Sequence, residues 1–514
     1  MAFRKFLFFL FFALFTQALC RAQSPGISWQ KCLGGTGYDQ VTDILQSNDG
    51  GYAVSIGSFK FRIVKLSDTG SIEWDKTYGG GAGDVAYCIA PKLDDGYIVT
   101  GFTKSFGGDV KGNHGGSDMW VLKLTAYGDI EWAKCYGGSG DEQGRYIINA
   151  PGGGYIVAGS TTSYDGDVTG RVKKTTEPDC DLWIIKIDDT GKLIWQKTYG
   201  GSLADAANCV QAIAGGGFIV VGDTYSSDGD VSNFHPSIDS LADMWVLKLN
   251  LNGDTIWERA YGGSQDESGT SIMPTRDGGF IAGGITGSID GDVKSGTHGD
   301  DDGWIVRLTS AGNIVWETTV GGNNGDGIYT VDTTADGAFV VAGVEGSSNI
   351  KYNHGAYDYW ILKMGEAGKI WWQKCLGGSK PDYGKCMART LDNGYVMGGW
   401  AQSNDGDVSG NHGGFSDTWV VKLETDTIQP PQSVPNFNNL SAISVYPTCT
   451  YGTTQIINAE NSSYIITDIG GKTVLQDRIH SAKQEINFSG LATGMYFLRI
   501  TKNERQYNYK LVKL

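Results

Sequence analysis

One phrase recurs seven times along this chain, at Trp29, Trp74, Trp132, Trp195, Trp257, Trp316 and Trp372; its clearest copy is WQKTYGG from Trp195 to Gly201. The tryptophans stand 45, 58, 63, 62, 59 and 56 residues apart. Between them a second pattern returns: a DGGY-like turn, an apolar run such as Tyr155 to Gly159, a polar insert, and a D-x-W segment such as Asp118 to Leu124. Each unit therefore reads as four short strands divided by Gly and Asp turns. We label them a (the apolar strand around Tyr146 to Ile148), b (after DGGY), c (the D-x-W strand) and d (the W-x-K strand).

Strand-rich repeats of this length without helical periodicity predict propeller blades rather than a helical solenoid. The ends of the array sharpen the expectation. Trp29 opens the chain within a d strand, whereas the last repeat stops at a c strand, Asp417 to Leu423. If the first strand completes the last blade, residues 23–424 form an all-β, seven-bladed β-propeller of four-stranded blades with no open edge.

Arg4 and Lys5 followed by apolar Phe6 to Leu19 predict a secretory signal peptide over residues 1–22, too short to span a membrane, with cleavage near Ala22. Gln17-Ala18-Leu19 is a poor lipobox for Cys20, because Leu19 is large. No later stretch has the length of a transmembrane helix. Residues 425–440 are rich in Gln, Pro, Ser and Asn and read as a linker. Residues 441–514 form a separate small domain whose six apolar segments suggest an Ig-like β-sandwich.

That domain carries Val445-Tyr446-Pro447, Ile469-Gly470-Gly471-Lys472, Leu491 to Tyr496 (LATGMY) and Lys510-Leu511-Val512-Lys513. It resembles the type A sorting domains of the type IX secretion system of Bacteroidota. The resemblance implies passage across the outer membrane, with the type IX machinery as partner, and secreted or cell-surface localisation; Tyr446, Pro447, Gly470, Gly494, Tyr496, Lys510 and Lys513 are the motif residues. One departure is Thr448-Cys449 where the family usually has Asn-Pro. The repeats resemble those of secreted bacterial propellers with W-x-K-x-Y-G-G-S-G-x-D followed by D-G-G-Y-I-V, as in Asp141 to Gly159. That likeness implies a fold rather than an activity.

The formal charge is −16, with +3 in residues 1–22 and +3 in residues 441–514, leaving −22 on the repeats. Such a unit repels nucleic acid and anionic lipid. Outside Cys20 there are eight cysteines. An exported chain permits disulfides, but Cys32, Cys135 and Cys375 recur in d strands and Cys88, Cys209 and Cys386 in a strands, as small buried hydrophobes do. No Cys/His spacing suggests zinc.

The a-to-b and c-to-d connections are uniformly short, so the long d-to-a and b-to-c connections gather on one face, the candidate functional face. Its recurring phrase is DGDV, at Asp165 and Asp167, Asp228 and Asp230, Asp290 and Asp292, and Asp405 and Asp407, with a variant at Gly108-Asp109-Val110. Paired carboxylates near carbonyls suit calcium, but the spacing of an EF-hand is absent, which favours each Asp capping its own turn. His114, His298, His354 and His412, each before a Gly, and His235 lie further along these loops.

The tryptophans of the c and d strands fit packing between blades. Off-pattern Trp400, Tyr164 and Tyr225, with Lys173-Lys174 in an individual insert, are the candidate ligand contacts. Residues near the a strands that break the repeat, Glu142, Arg145, Glu267, Lys385 and Arg389, are the places to seek catalysis. No nucleophile elbow, zinc-protease or phosphate-loop motif is present. The expected function is a secreted or surface binding or adhesion propeller for a glycan, protein or matrix ligand. The alternatives are a polysaccharide hydrolase or lyase and a structural surface protein.

Overall fold

The computed structural model describes residues 24–426, except 36, 38, 58–59, 93–94, 172–179, 236–240, 335 and 351–352, and residues 444–513, except 447–448, 451–452, 458, 469–470, 482, 493 and 503–504. The expected signal peptide, nearly all of the linker, and Lys173, Lys174, Pro447 and Gly470 lie outside the described residues. The chain divides into two units, Met1–Gln429 and Pro430–Leu514.

In the first unit each repeat folds as one antiparallel sheet in the order a-b-c-d, giving seven four-stranded sheets among the described residues. The first six occupy residues 41–78, 84–136, 142–199, 205–261, 267–320 and 327–376. The seventh joins Asp382–Arg389, Tyr395–Ala401 and Asp417–Leu423 to the N-terminal Ile27–Leu33, with Trp29 opposite Lys422 and Cys32 opposite Trp419. The terminal strand pairs where the repeat order predicts.

Burial explains the composition of each strand type. The c strands, such as Asp243–Leu249 (DMWVLKL), are buried on both faces and therefore read as apolar runs. The d strands, such as Leu193–Tyr199 (LIWQKTY), are half-exposed and alternate. Between neighbouring sheets lie apolar cores: Ile156, Leu182, Phe218, Val220 and Trp245 between the third and fourth, for example. Leu33, Val41, Ile44, Val54, Cys386 and Val420 build an equivalent core between the seventh and the first. Trp120, Trp183, Trp245, Trp304, Trp360 and Trp419 are essentially inaccessible. Each buries roughly 200 Å², a gross hydrophobic contribution of about 5 kcal/mol.

The d-strand tryptophans explain the repeated phrase. Trp29, Trp74, Trp132, Trp257 and Trp316 each donate through Nε1 to a carbonyl in the c-to-d turn of the following sheet: Asp68, Ala126, Asp189, Ser310 and Glu366, at 2.8–3.1 Å. The tyrosine four residues on adds a second bond, from Tyr78 to Gly128 O and Tyr136 to Gly191 O, both 2.6 Å. The turn glycine must be Gly: Gly312 sits at φ 77°, and a Cβ there would come 3.0 Å from the Trp257 ring. Trp372 lacks this clasp for a topological reason. The sheet after it takes its d strand from the other end of the chain and has no c-to-d turn, and Trp372 Nε1 is buried with no hydrogen-bond partner among the described residues.

In the second unit one sheet contains Ser444–Tyr446, Thr453–Ile457 and Lys483–Asn487; the other contains Cys449–Thr450, Arg505–Lys513, Gly494–Lys502, Ser462–Asp468 and Thr473–Ile479. Ile456, Ile486 and Phe488 from the first side meet Tyr464, Ile466, Leu498, Ile500 and Leu511. The sequence reading lacked the strand Thr453–Ile457, whose TTQII shows little apolar alternation.

Candidate functional site

The DGDV loops are turn clamps. Oδ1 of Asp165, Asp228, Asp290 and Asp405 accepts the backbone N–H of Ser139, Ser202, Ser264 and Ser379 at 2.6–2.8 Å. The second aspartate donates its backbone N–H to the glycine carbonyl of the same d-to-a connection, as Asp167 to Gly137 at 2.9 Å and Asp407 to Gly377 at 2.8 Å. Asp167, Asp230 and Asp407 also accept the N–H of Gly137, Gly200 and Gly377 at 3.2–3.4 Å. The valine beside them is buried. In the sixth sheet, where DGDV is missing, Asn349 Oδ1 takes the same role towards Asn323 N at 3.0 Å. Among the described residues no three His, Cys, Asp or Glu side chains are grouped to hold a metal.

Two further carboxylate series are equally structural. The aspartates opening the c strands accept from the loop histidines: His114, His235, His298, His354 and His412 approach Asp118, Asp243, Asp302, Asp358 and Asp417 through Nδ1 at 2.6–3.0 Å. In the third sheet Arg171 does this instead, Nε to Asp181 at 3.0 Å. The acid at the start of six of the a strands is buried as well. Glu142 accepts from Gly138 N at 2.9 Å and Thr161 Oγ1 at 2.7 Å, and Glu267 from Gly263 N at 2.7 Å and Thr286 Oγ1 at 2.6 Å. Asp84, Asp205, Asp326 and Asp382 occupy the same place in other sheets. Glu142 and Glu267 therefore do not break the repeat: they are its longer variant, sealed from solvent.

What does break the repeat is a ring of bulges. In every a strand the register shifts at the same point, over Thr42, Tyr87, Arg145, Asn208, Thr270, Tyr329 and Lys385. A bulge re-aims one side chain out of the alternation. All seven line one cavity of about 450 Å³. Because the bulge lies near the start of the a strand, this cavity opens towards the face of the long connections. The scaffold residues around it are near-identical from sheet to sheet, whereas the bulged residues differ in size, polarity and charge.

The cavity has internal order. Arg145 Nη1 donates to Asn208 Oδ1 at 2.6 Å, and Asn208 Nδ2 donates to Asp223 at 2.9 Å. Asp223 also accepts from Ser268 Oγ at 2.8 Å and Gly269 N at 3.1 Å; burial raises its pKa against these bonds. Opposite, Lys385 Nζ stands 4.4 Å from the Tyr329 ring centroid. The Tyr329 and Tyr383 hydroxyls are hydrogen-bonded, and Tyr383 stacks on Trp400 at 5.5 Å and 6°. Burial lowers the pKa of Lys385, and Arg145 lowers it further.

The floor is shared with a second cavity of about 820 Å³ towards the short turns, through Asp43, Cys88, Tyr146, Ser271, Thr330 and Met387. Burial pushes Asp43 up to about 6. In that larger cavity the charges other than the shared Asp43 are mutually paired, Arg389 with Asp332 at 3.3 Å and Lys363 with Asp336 and Asp426 at 2.9 and 2.7 Å. The larger volume is thus electrostatically satisfied by its own walls. The smaller one is the better candidate.

Of the residues singled out by sequence, the structure brings Arg145 and Lys385 together in the bulge ring and sets Trp400 beside it. Arg389 lies in the other cavity. Tyr164 is covered by the Arg171 guanidinium at 4.3 Å, while Tyr225 is 38% exposed with its hydroxyl pKa raised by burial and by the nearby Asp266 and Asp223. The sequence reading missed Tyr87, Asn208, Thr270 and Tyr329; the available signal was a variable residue at one fixed point of an otherwise repeated strand. Cys32, Cys88, Cys135, Cys180, Cys209, Cys375 and Cys386 are not joined in disulfides, and burial raises Cys88 and Cys386 well above their usual range.

The molecule is an all-β protein of repeated four-stranded antiparallel sheets with a propeller-like arrangement, followed by a smaller β unit. Residues 444–514 match the family described as "Secretion system C-terminal sorting domain", and the second unit is such a sorting domain. It marks the chain for type IX export to the medium or cell surface. The regulatory protein FlaEY of Caulobacter vibrioides is 24% identical over 244 residues, 45% of this chain and 24% of that protein, so the match spans about a quarter of the relative. Among solved structures, the Neurospora crassa Pan2 WD40 domain is 9% identical, with 76% of this chain and 90% of that one covered and a TM-score of 0.42. PorZ, a surface component of the type-IX secretion system of Porphyromonas gingivalis, is 10% identical, with 96% and 86% covered and a TM-score of 0.25. A protein of unknown function from Bacteroides caccae is 13% identical, with 57% and 93% covered and a TM-score of 0.33. No helix of the described residues is long and apolar enough to cross a membrane.

Proposed function

We propose that this is a secreted or surface-displayed binding protein whose seven sheets close into a seven-bladed β-propeller, carried out of the cell by an Ig-like sorting domain. Its ligand enters the mouth of the axial channel on the face of the long connections. The observation that carries this reading is the ring of bulges: seven equivalent strand positions lining one cavity and occupied by five different residue types. Binding sites concentrate differing polar and aromatic groups in a concave, largely preformed space.

The loops around the mouth, including the DGDV turns, act in this reading as a rigid collar. The aspartate oxygens serve backbone amides first, and calcium at these turns is a subsidiary proposal. A reversible rise in melting temperature with calcium over chelator would assign Asp165, Asp228, Asp290 and Asp405 to a metal.

The binding reading is tested by screening the full chain on glycan and matrix-protein arrays, alongside Asn208→Ala and Tyr329→Ala variants. Binding that falls in both variants supports it. Binding indifferent to both places the ligand elsewhere on the surface.

A further inference from the structure

The chemistry of the ring narrows the ligand. Two cations, Arg145 and Lys385, project into one cavity of a unit whose net charge is −22, and the charge of Arg145 is felt at Lys385. Among the described residues neither forms an ion pair within 4.0 Å; Arg145 is held by Asn208, and Lys385 by the Tyr329 ring. Two carboxylates, Asp43 and Asp223, also line the cavity; the Arg145 charge acts on Asp223, and both carboxylates are bonded to donors of the wall. Asp223 accepts three hydrogen bonds, and Asp43 accepts from Ile89 N and Ile44 N at 3.0 and 2.9 Å. Like charges facing each other in a recess favour an anion between them.

Aromatic residues also line the cavity, Tyr87, Tyr146 and Tyr329, the last backed by Tyr383 and through it Trp400, with neutral hydroxyl and amide groups from Thr42, Thr270 and Asn208. An aromatic face suits the C–H surface of a sugar ring, and hydroxyl and amide groups suit its hydroxyls. A cavity of about 450 Å³ lies in the range of small-ligand sites and suits the end of a chain rather than its middle.

We propose that the channel mouth binds the terminus of a carboxylated glycan, with the sugar carboxylate between Arg145 and Lys385 and the ring against the tyrosines that line the cavity. This rests on the binding reading above, and deepens it by naming the ligand class. Arginine supplies paired donors in a fixed fork, lysine a mobile point charge, and both strengthen as water leaves the recess.

The test is titration calorimetry of the full chain with digalacturonate, beside neutral galactobiose and inorganic phosphate as probes. Saturable binding of digalacturonate is expected, at least ten-fold tighter than galactobiose or phosphate. Arg145→Met and Lys385→Met should each weaken it at least ten-fold without changing the far-ultraviolet spectrum, and Arg389→Met, in the other cavity, should leave it unchanged. Equal binding of phosphate reduces the site to a general anion site, and equal binding of galactobiose makes the cations irrelevant; either result overturns the proposal. If digalacturonate does not bind, but an array ligand does and is sensitive to Asn208→Ala and Tyr329→Ala, the glycan inference fails and the binding reading survives. If no ring variant alters any binding, both fail.

Discussion

Glu142 and Arg145 stand three residues apart on one strand and belong to different parts of the molecule. Glu142 is fully buried, accepts bonds from its own sheet, and has a counterpart in five other sheets. Arg145 sits on a bulge, lines the cavity, and has six positional equivalents, among which only Thr and Tyr recur, each twice. A repeated fold must satisfy the same buried polar groups in every unit, so its structural acids recur. A ligand is bound once, so the groups that meet it need not. Where a residue type repeats it belongs to the scaffold; where only the position repeats, function is to be sought.

Breaking the scaffold should have the largest effect. Trp245→Ala removes an inaccessible indole whose Nε1 donates to Glu258 at 2.8 Å, and should cost about 3–5 kcal/mol in chemical denaturation. The same loss at Trp304 is expected, since the scaffold positions are equivalent.

A smaller effect comes from the one sheet whose b strand ends in Glu345 where Thr103, Thr161, Thr224 and Thr286 stand elsewhere. Burial pushes the Glu345 carboxyl up from 4.5 to about 7. Between those values the folded state keeps a proton that the unfolded chain has lost, so stability from this group falls as pH rises through that window and levels off above it. Glu345→Thr restores the repeat. It should abolish this slope and stabilise the protein at pH 8 by on the order of 2 kcal/mol, read from unfolding midpoints at pH 5 and 8.

Gly312→Ala forces a Cβ at φ 77° against Trp257 and should cost about 1–2 kcal/mol. Ala133→Gln acts in the opposite direction. In other sheets the c-strand indole donates to the Gln or Glu that follows the d-strand Trp, as Trp183 does to Gln196 at 2.8 Å, but Trp120 Nε1 faces Ala133 and is buried without a partner among the described residues. Supplying the acceptor should raise stability by about 1 kcal/mol. Lys385→Met should change stability least, by about 0.5 kcal/mol or less, because nothing in the scaffold depends on its charge. A large loss there would move the bulge ring into the scaffold and erase the contrast.

Much of the fold is legible in the residues. The W-x-K-x-Y-G-G phrase marks a clasp in which indole and phenol reach the next turn, and its period gives the sheet count. The complementary ends, Trp29 in a d strand and Asp417 in a c strand, predict the pairing of Ile27–Leu33 with Asp417–Leu423. Asn349 was hidden because the clamp needs only a side-chain oxygen, which DGDV does not uniquely encode. Glu142 and Glu267 looked individual because Asp and Glu were read as different residues, although the same pocket of amide and hydroxyl donors receives either.

The sequence by itself determined the repeat, its four-strand unit, the sorting tail and the sealed cores, because each is written in local periodicity and turn chemistry. Only the tertiary structure decided which side chains meet. Arg145, Tyr329 and Lys385 come from strands far apart in the chain, and a one-residue bulge turns each of them into the shared cavity. Register and bulge are set by the pairing of neighbouring strands, a property of no single segment.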